Sequence, residues 1–111
     1  MTKAIDRTQH CQSMAEVRQH IDALDDVLVP LLVERSGYML QAARIKQHAT
    51  DVRDEARIQN IVDRVRVMAM AQGGNPDVLE RIYRDMMEAF IAYEADAFEK
   101  IRANVSEGDV A

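Results

Sequence analysis

Apolar residues recur at helical spacing along the first half of the chain. The intervals alternate between three and four, which is typical of one face of an amphipathic helix, and the positions are Val17, Ile21, Leu24, Leu28, Leu31, Leu32, Tyr38 or Met39, Ala42 and Ile45. Ser13 followed by Glu16 predicts a capping box at the start. No turn cluster occurs before about residues 48–51, so the pattern predicts one helix of roughly 30 residues, about 50 Å long. Pro30 lies inside it, and a bend is expected there.

Two further helices are predicted after the first. The second begins at about residues 51–54 and carries the apolar positions Ile58, Ile61, Val62, Val65 and Met68 or Ala69. Gly73-Gly74 ends it, and Asn75-Pro76-Asp77 is a typical helix start. The third helix has on its apolar side Leu79, Ile82, Tyr83, Met86, Met87, Phe90, Ala97, Phe98 and Ile101. Polar residues from about Ala103 predict its end. The fold class is therefore all-α, with three helices and a long first one.

The length of 111 residues predicts a single domain. We divide it into a flexible N-terminal segment (1–12), a helical domain (13–102) and a polar tail (103–111). A short chain buries a lower fraction of its surface than a longer one, and it cannot cover a stripe that runs the length of its own first helix, about 50 Å. Self-association along that helix is therefore expected.

Charge and cysteine content exclude several classes of partner. The formal net charge of −5 argues against nucleic acid and anionic membranes. Cys11 is the only cysteine, so no disulfide can form within the chain, and a cytoplasmic location is expected. The N-terminus has no apolar segment typical of a signal peptide, and no apolar run is long enough to span a bilayer.

Cations interleaved with the apolar stripe of the first helix are the first candidates for chemistry. Arg35 and Lys46 are eleven residues apart, so they project in nearly the same direction and can reach a common point. Arg18 is roughly 25 Å from Arg35 along the same helix. It cannot reach that point within one chain, but an antiparallel partner helix would bring its own Arg18 there. The alternative is that all three are solvated surface cations.

Glu94 occupies a core-facing position of the third helix. A buried carboxylate must be protonated or paired with a cation, and Arg35 and Lys46 are the candidates; the alternative is that Glu94 lies at the edge of the stripe and reaches water. Arg57 stands beside Asp54 and Glu55, where a surface ion pair and a functional role are equally compatible with the spacing. The histidines His10, His20 and His48 lack metal-ligand spacing, so no metal is expected.

Together these residues resemble the all-helical chorismate mutase family, which includes isochorismate pyruvate lyase. The resemblance covers about residues 14–100 and depends on Val17-Arg18, Ile21, Leu24-Asp25, Leu28, Leu31-Leu32, Glu34-Arg35, Lys46, Val52-Arg53-Asp54 and Arg57. It implies an intertwined homodimer with two antiparallel first helices and two active sites, each completed by one residue of the partner. It implies no cofactor.

The resemblance also implies roles for individual residues. Arg35, Arg57 and Arg18 from the partner chain would bind the substrate carboxylates. Lys46 and Glu94 would act on the ether oxygen, with Asp54 accepting from the ring hydroxyl. Ile58 and Phe90 complete the expected substrate-binding set, and Lys46, Glu94 and Arg35 are the expected catalytic residues.

Two positions depart from the best-known mutases. Glu94 stands where bacterial members have Gln, and it can donate a hydrogen bond only when protonated, so activity is expected to favour acidic or near-neutral pH. Ile58 stands where many mutases have Glu. An apolar residue there, together with Arg35-Ser-Gly-Tyr38 and Ala42-Ala43, also resembles isochorismate pyruvate lyase. The resemblance therefore implies a chorismate mutase of Phe and Tyr biosynthesis, and three alternatives stay open: the lyase, a mutase-like enzyme acting on an amino analogue of chorismate, and a non-enzymatic helical dimerisation module.

Overall fold

The computed structural model of the chain contains three α-helices. It describes residues 8–110, and side chains for residues 8–104. Helix α1 spans Met14–Ile45, α2 spans Glu55–Ala71 and α3 spans Pro76–Val110, with a short 3-10 turn at Ala49–Asp51 between the first two. No strand occurs in the described residues. The predicted all-α class with a long first helix is confirmed. Residues 1–7 of the predicted N-terminal segment lie outside the described residues.

The start of α1 follows the predicted capping pattern with one difference. The hydroxyl of Ser13 accepts a hydrogen bond from the backbone N of Glu16 at 3.2 Å. The carboxylate of Glu16 accepts from the backbone N of Gln12 at 3.0 Å, where a capping box would use Ser13 itself. Pro30 lies within the helix, which continues on both sides of it. The bend at Pro30 stays a prediction.

The boundary between α2 and α3 lies at the predicted residues, whereas the end of α3 does not. Gly73 adopts a φ of 76°, the left-handed conformation that ends many helices. Asn75 caps α3, because its side-chain oxygen accepts from the backbone N of Asp77 at 2.9 Å. The prediction that α3 ends near Ala103 was wrong, since the helix continues to Val110. Neither Gly nor Pro occurs between Pro76 and Gly108 to interrupt it.

Two clusters of buried side chains hold the helices together. In the first, Ile58 and Val62 of α2 pack with Met87 of α3. The second joins the end of α1 to α3 through Ala43, Val52 and Phe98. The side chain that packs against both clusters is Ile91. On α3 the buried positions run Met87, Glu94 and Phe98, so a carboxylate lies between apolar residues. Ile82, predicted on the apolar side, is 53% exposed.

Much of the N-terminal part of α1 is left uncovered by the described residues. Every residue from 18 to 31 is exposed, although this stretch carries the large apolar side chains Ile21, Leu24, Val27, Leu28, Val29 and Leu31. Only the last turns of the helix pack against α3, and Ala43 is its buried residue. Among the described residues, the expectation that one chain does not cover this stripe is confirmed. Within the described residues, no helix is long and apolar enough to cross a membrane.

Candidate active site

A cavity of about 330 Å³ lies between the three helices. Its walls come from the C-terminal part of α1, the start of α2 and the middle of α3. The lining residues are Arg35, Met39, Ala42, Lys46, Val52, Asp54, Arg57, Ile58, Ile61, Met87, Phe90, Ile91 and Glu94. The cavity thus combines apolar walls with charged side chains of both signs, an arrangement typical of sites for small polar ligands.

The structure brings seven of the eight predicted site residues to this cavity. They are Arg35, Lys46, Asp54, Arg57, Ile58, Phe90 and Glu94. Arg18 is the exception, because it lies on the exposed N-terminal part of α1 and does not line the cavity. The position of Arg18 agrees with the geometric argument that it cannot serve this site within one chain. The roles of all eight residues stay predictions.

Lys46 and Glu94 form the closest charged contact of the cavity. The ammonium Nζ of Lys46 lies 2.7 Å from Oε2 of Glu94 and donates a second hydrogen bond, of 3.3 Å, to the carbonyl of Val52. Glu94 is 3% exposed. The expectation that a core-facing Glu94 would pair with a cation is confirmed, and the alternative that it reaches water at the edge of the stripe is wrong. The pair joins α1 to α3.

Two guanidinium groups of the cavity have no acidic partner among the described residues. None of the ion pairs in the described part of the chain includes Arg35 or Arg57. Arg35 lies over the ring of Phe90, with 5.3 Å between its Cζ and the ring centroid, a cation–π contact. Unpaired guanidinium groups beside apolar walls can form two parallel hydrogen bonds to a carboxylate. The cavity can therefore bind an anionic ligand although the chain is acidic.

Asp54 places Arg57 at the cavity by capping α2. Its Oδ1 accepts a hydrogen bond from the backbone N of Arg57 at 3.0 Å, so the helix begins one residue later, at Glu55. The interpretation of Arg57 as half of a surface ion pair with Asp54 or Glu55 was wrong, since its side chain takes part in no ion pair within the described residues. The carboxylate of Asp54 serves as a helix cap and also lines the cavity.

An exposed ion-pair cluster ties the start of α2 to α3 beside the cavity. Arg53 donates to both carboxylate oxygens of Glu88, at 2.9 and 2.7 Å, and to Glu55 at 2.6 Å. The hydrogen bonds from Arg53 lower the pKa of Glu88, and those with Glu88 and Glu55 raise the pKa of Arg53. The two parallel hydrogen bonds from Arg53 to Glu88, which form a fork, tie the segment that carries Asp54 and Arg57 to α3.

Six apolar residues of the cavity wall are absent from the predicted site. They are Met39, Ala42, Val52, Ile61, Met87 and Ile91. Most of them belong to the apolar stripes that predict the helices, and a stripe alone does not tell a core position from a cavity wall. Val52 lies after the 3-10 turn, where no periodic signal exists.

Fold and cavity together define an all-helical protein with one cavity to which Arg35, Lys46 and Arg57 contribute cations. A model of the family described as chorismate mutase type II matches residues 17–95, which is more than half of the chain and includes every residue of the cavity wall. The chain belongs to this family. The comparison with curated proteins found no match.

Proposed function

We propose that this protein is a chorismate mutase that converts chorismate to prephenate in the biosynthesis of Phe and Tyr. The reaction is a unimolecular [3,3] rearrangement in which a C–O bond breaks while a C–C bond forms. It needs no protein nucleophile and no cofactor. A cytoplasmic location and the absence of nucleic-acid or membrane partners belong to the same proposal.

The observation that carries the proposal is the pair of guanidinium groups without acidic partners at one cavity. Arg35 and Arg57 line it together with Lys46, and the substrate class is a dicarboxylate. Two carboxylates bound at separate cations hold the enolpyruvyl side chain over the ring, which is the compact conformer that reacts. The cavity volume of about 330 Å³ suits one small molecule of this kind.

Charge stabilisation is the second contribution of the site. Negative charge grows on the ether oxygen as the C–O bond breaks, and a donor placed there lowers the barrier. We assign this role to the ammonium of Lys46, with Glu94 as its partner or as a second donor when protonated. Asp54 would accept from the ring hydroxyl, while Phe90 and Ile58 would form apolar walls.

A homodimer is part of the proposal, because the described part of one chain leaves the apolar face of α1 exposed and its Arg18 away from the cavity. The uninterrupted exposed stretch of α1, residues 18–31, is 14 residues long, or roughly 20 Å of helix. An antiparallel second copy would cover this face and bring Arg18 of the partner subunit near Arg35. That guanidinium would complete the set of cations around the substrate.

Isochorismate pyruvate lyase is the second candidate, and Ile58 is the observation that favours it. This apolar side chain is 8% exposed and lines the cavity, so it offers no partner to a ring hydroxyl. Incubation with chorismate and with isochorismate, separately, distinguishes the two enzymes. Prephenate from chorismate supports the mutase, whereas salicylate with pyruvate from isochorismate supports the lyase. Conversion of neither substrate contradicts both proposals.

Substitution of Arg35 separates an enzyme from a non-enzymatic dimerisation module. We expect Arg35→Ala to fold normally and to lose turnover on the order of 10²- to 10³-fold, because one carboxylate then lacks its donor. Arg64→Ala is the matched control, since Arg64 is exposed on α2 and does not line the cavity. Equal turnover in the two variants would contradict the assignment of Arg35.

A further inference from the structure

Arg102 of α3 makes a set of contacts that the proposed mechanism does not use. Its guanidinium donates one hydrogen bond to the carbonyl of Ala43, at 2.6 Å, and a second to the carbonyl of Lys46. Its Cζ lies 3.6 Å from the centroid of the Phe98 ring. Arg102 therefore lies between a ring of its own helix and the C-terminal end of α1.

The carbonyls that Arg102 binds belong to the last turn of α1. Carbonyls at a helix C-terminus have no partner within the helix, and a cation there is favourable because that end carries partial negative charge. Lys46 is the capping residue, whose backbone N still donates to the carbonyl of Ala42 at 2.9 Å. Arg102 fixes the carbonyl of the same residue, so it determines where the Lys46 backbone lies.

Helix α3 thus holds Lys46 at both ends. Arg102 binds the backbone carbonyl, and Glu94, two turns earlier on α3, binds the ammonium at 2.7 Å. Between these two contacts the flexible side chain of Lys46 has little freedom to move. A donor that acts on a single substrate oxygen needs this restriction, because a small displacement of the reacting groups costs rate.

The chemistry of the contact requires arginine rather than any cation. A planar guanidinium can donate to two carbonyls at once while its face covers an aromatic ring. An ammonium is a point charge without that planar fork. Phe98 is 7% exposed and packs in the same cluster as Ala43 and Val52. The ring is therefore held in place, and it supports the face of the guanidinium that lies over it.

We infer that Arg102 is a positioning residue, which fixes the end of α1 so that the Lys46 ammonium points into the cavity at Glu94. The inference rests on the proposed function for its kinetic consequence. It does not come from the family match, because residue 102 lies outside the matched residues 17–95. The polar residues around position 103 do not indicate a role for Arg102 either.

Steady-state kinetics test the inference first. We expect Arg102→Ala to lower kcat roughly 10- to 100-fold, with KM changed less than about 3-fold, under conditions where circular dichroism shows wild-type helicity. The kcat of Arg102→Lys should lie between those of the wild type and of Arg102→Ala. Guanidinium chloride at a non-denaturing concentration should restore part of the kcat of Arg102→Ala and of no other variant. Arg44→Ala is the control, because Arg44 is exposed in the last turn of α1 and, among the described residues, bonds only to Gln41 of its own helix.

Two kinetic outcomes would overturn the inference. One is a wild-type kcat in both Arg102 variants. The other is a loss of kcat that follows the folded fraction and that guanidinium does not reverse, which a purely structural role would produce. Arg102→Gln, a smaller change that keeps a donor, supplies the kinetic comparison if Arg102→Ala does not fold.

A second measurement needs no substrate and remains valid if the proposed function fails. The lysines of the chain are Lys3, Lys46 and Lys100. Selective 15N labelling of lysine therefore gives few ammonium signals in NMR spectra. The signal that disappears in Lys46→Arg belongs to Lys46. We expect Arg102→Ala to speed the solvent exchange of that signal, because the ammonium leaves Glu94, while Arg44→Ala preserves it. An unchanged Lys46 signal in folded Arg102→Ala would overturn the inference whatever the reaction catalysed.

Discussion

The ammonium of Lys46 lies 2.7 Å from the carboxylate of Glu94, and the two side chains differ in exposure, at 28% and 4%. The carboxylate is inside the protein, whereas the ammonium still reaches the cavity. A buried carboxylate without a cation would be costly, so the pair explains how the core-facing position of α3 tolerates an acid. The same contact leaves Glu94 as the acceptor and Lys46 as the donor, which bears directly on the role of Glu94 in catalysis.

The pH profile of Glu94→Gln should show whether the acid donates to the substrate. A carboxyl group donates only when protonated, whereas an amide donates at every pH. If Glu94 donates to the ether oxygen, kcat of the wild type falls as the pH rises, and the profile of Glu94→Gln is flat from about pH 5 to pH 9. Parallel profiles, or wild-type activity that is flat up to pH 9, would restrict Glu94 to holding Lys46.

Stability measurements should show that this pair is kept for its function. Lys46→Met leaves Glu94 buried without a cation, and we expect it to lower the free energy of unfolding by about 2 kcal/mol or more. The double variant Lys46→Met/Glu94→Leu removes both charges and should recover most of that loss, because an apolar pair of similar volume packs at the same place. Urea unfolding measures the free energy of unfolding of the wild type, Lys46→Met and the double variant. A double variant no more stable than Lys46→Met would argue against this account, and turnover should stay lost in both.

Acid should weaken the exposed ion pair between Arg53 and Glu88. The hydrogen bonds from Arg53 lower the pKa of Glu88 in the folded chain, so the pair stabilises the fold above the pKa of the unfolded carboxyl, and the contribution is lost as the pH falls through the folded value. Glu88→Gln should therefore be less stable than the wild type at pH 7, with a difference that shrinks towards about pH 3. Both side chains are about half exposed, so the effect is small.

The control for this prediction is Glu99→Gln. Glu99 is exposed on the same helix and belongs to none of the ion pairs in the described residues. The stability of Glu99→Gln should equal that of the wild type both at pH 7 and at about pH 3. A Glu88→Gln difference that is the same at pH 7 and at low pH would show that the lost contact is not ionic.

The residues that could be predicted from the sequence are those whose signal is local or periodic. Ser13, Asp54 and Asn75 cap helices through contacts within three residues, so their neighbours reveal them. Glu94 is visible because it breaks an apolar stripe. Arg35 and Lys46 are visible because eleven residues are close to a whole number of turns.

The residues that could not be predicted act across the fold. Arg102 binds carbonyls 59 and 56 residues earlier in the chain, and no spacing along the chain encodes that approach. The fork of Arg53 on Glu88 joins residues 35 positions apart. In the sequence, neither residue differs from an ordinary charged surface residue. The continuation of α3 beyond Ala103 has no sequence signal either, because polar residues end an apolar stripe without ending a helix.

Subunit complementation should show whether Arg18 serves the site of another chain. In the proposed homodimer, Arg18→Ala or Arg35→Ala would remove one cation from both sites, so each variant alone should be nearly inactive. In a mixed dimer, the Arg18→Ala chain contributes its own Arg35 and receives an intact Arg18 from its partner, so one site is complete and the other lacks both cations. Random pairing of equal amounts makes about half of the dimers mixed, and activity should return to about a quarter of the wild type.

The pair Arg35→Ala and Lys46→Ala provides the decisive comparison. Both side chains line the cavity of one chain, so every mixed dimer has one site without Arg35 and another without Lys46, and no site is complete. Mixing these two variants should therefore restore nothing, although their subunits exchange equally well. If the Arg18 mixture also stays inactive after co-refolding, the partner's Arg18 does not complete the site. If instead Arg18→Ala alone keeps wild-type turnover, this cation is not needed, and the substrate carboxylates depend on Arg35 and Arg57.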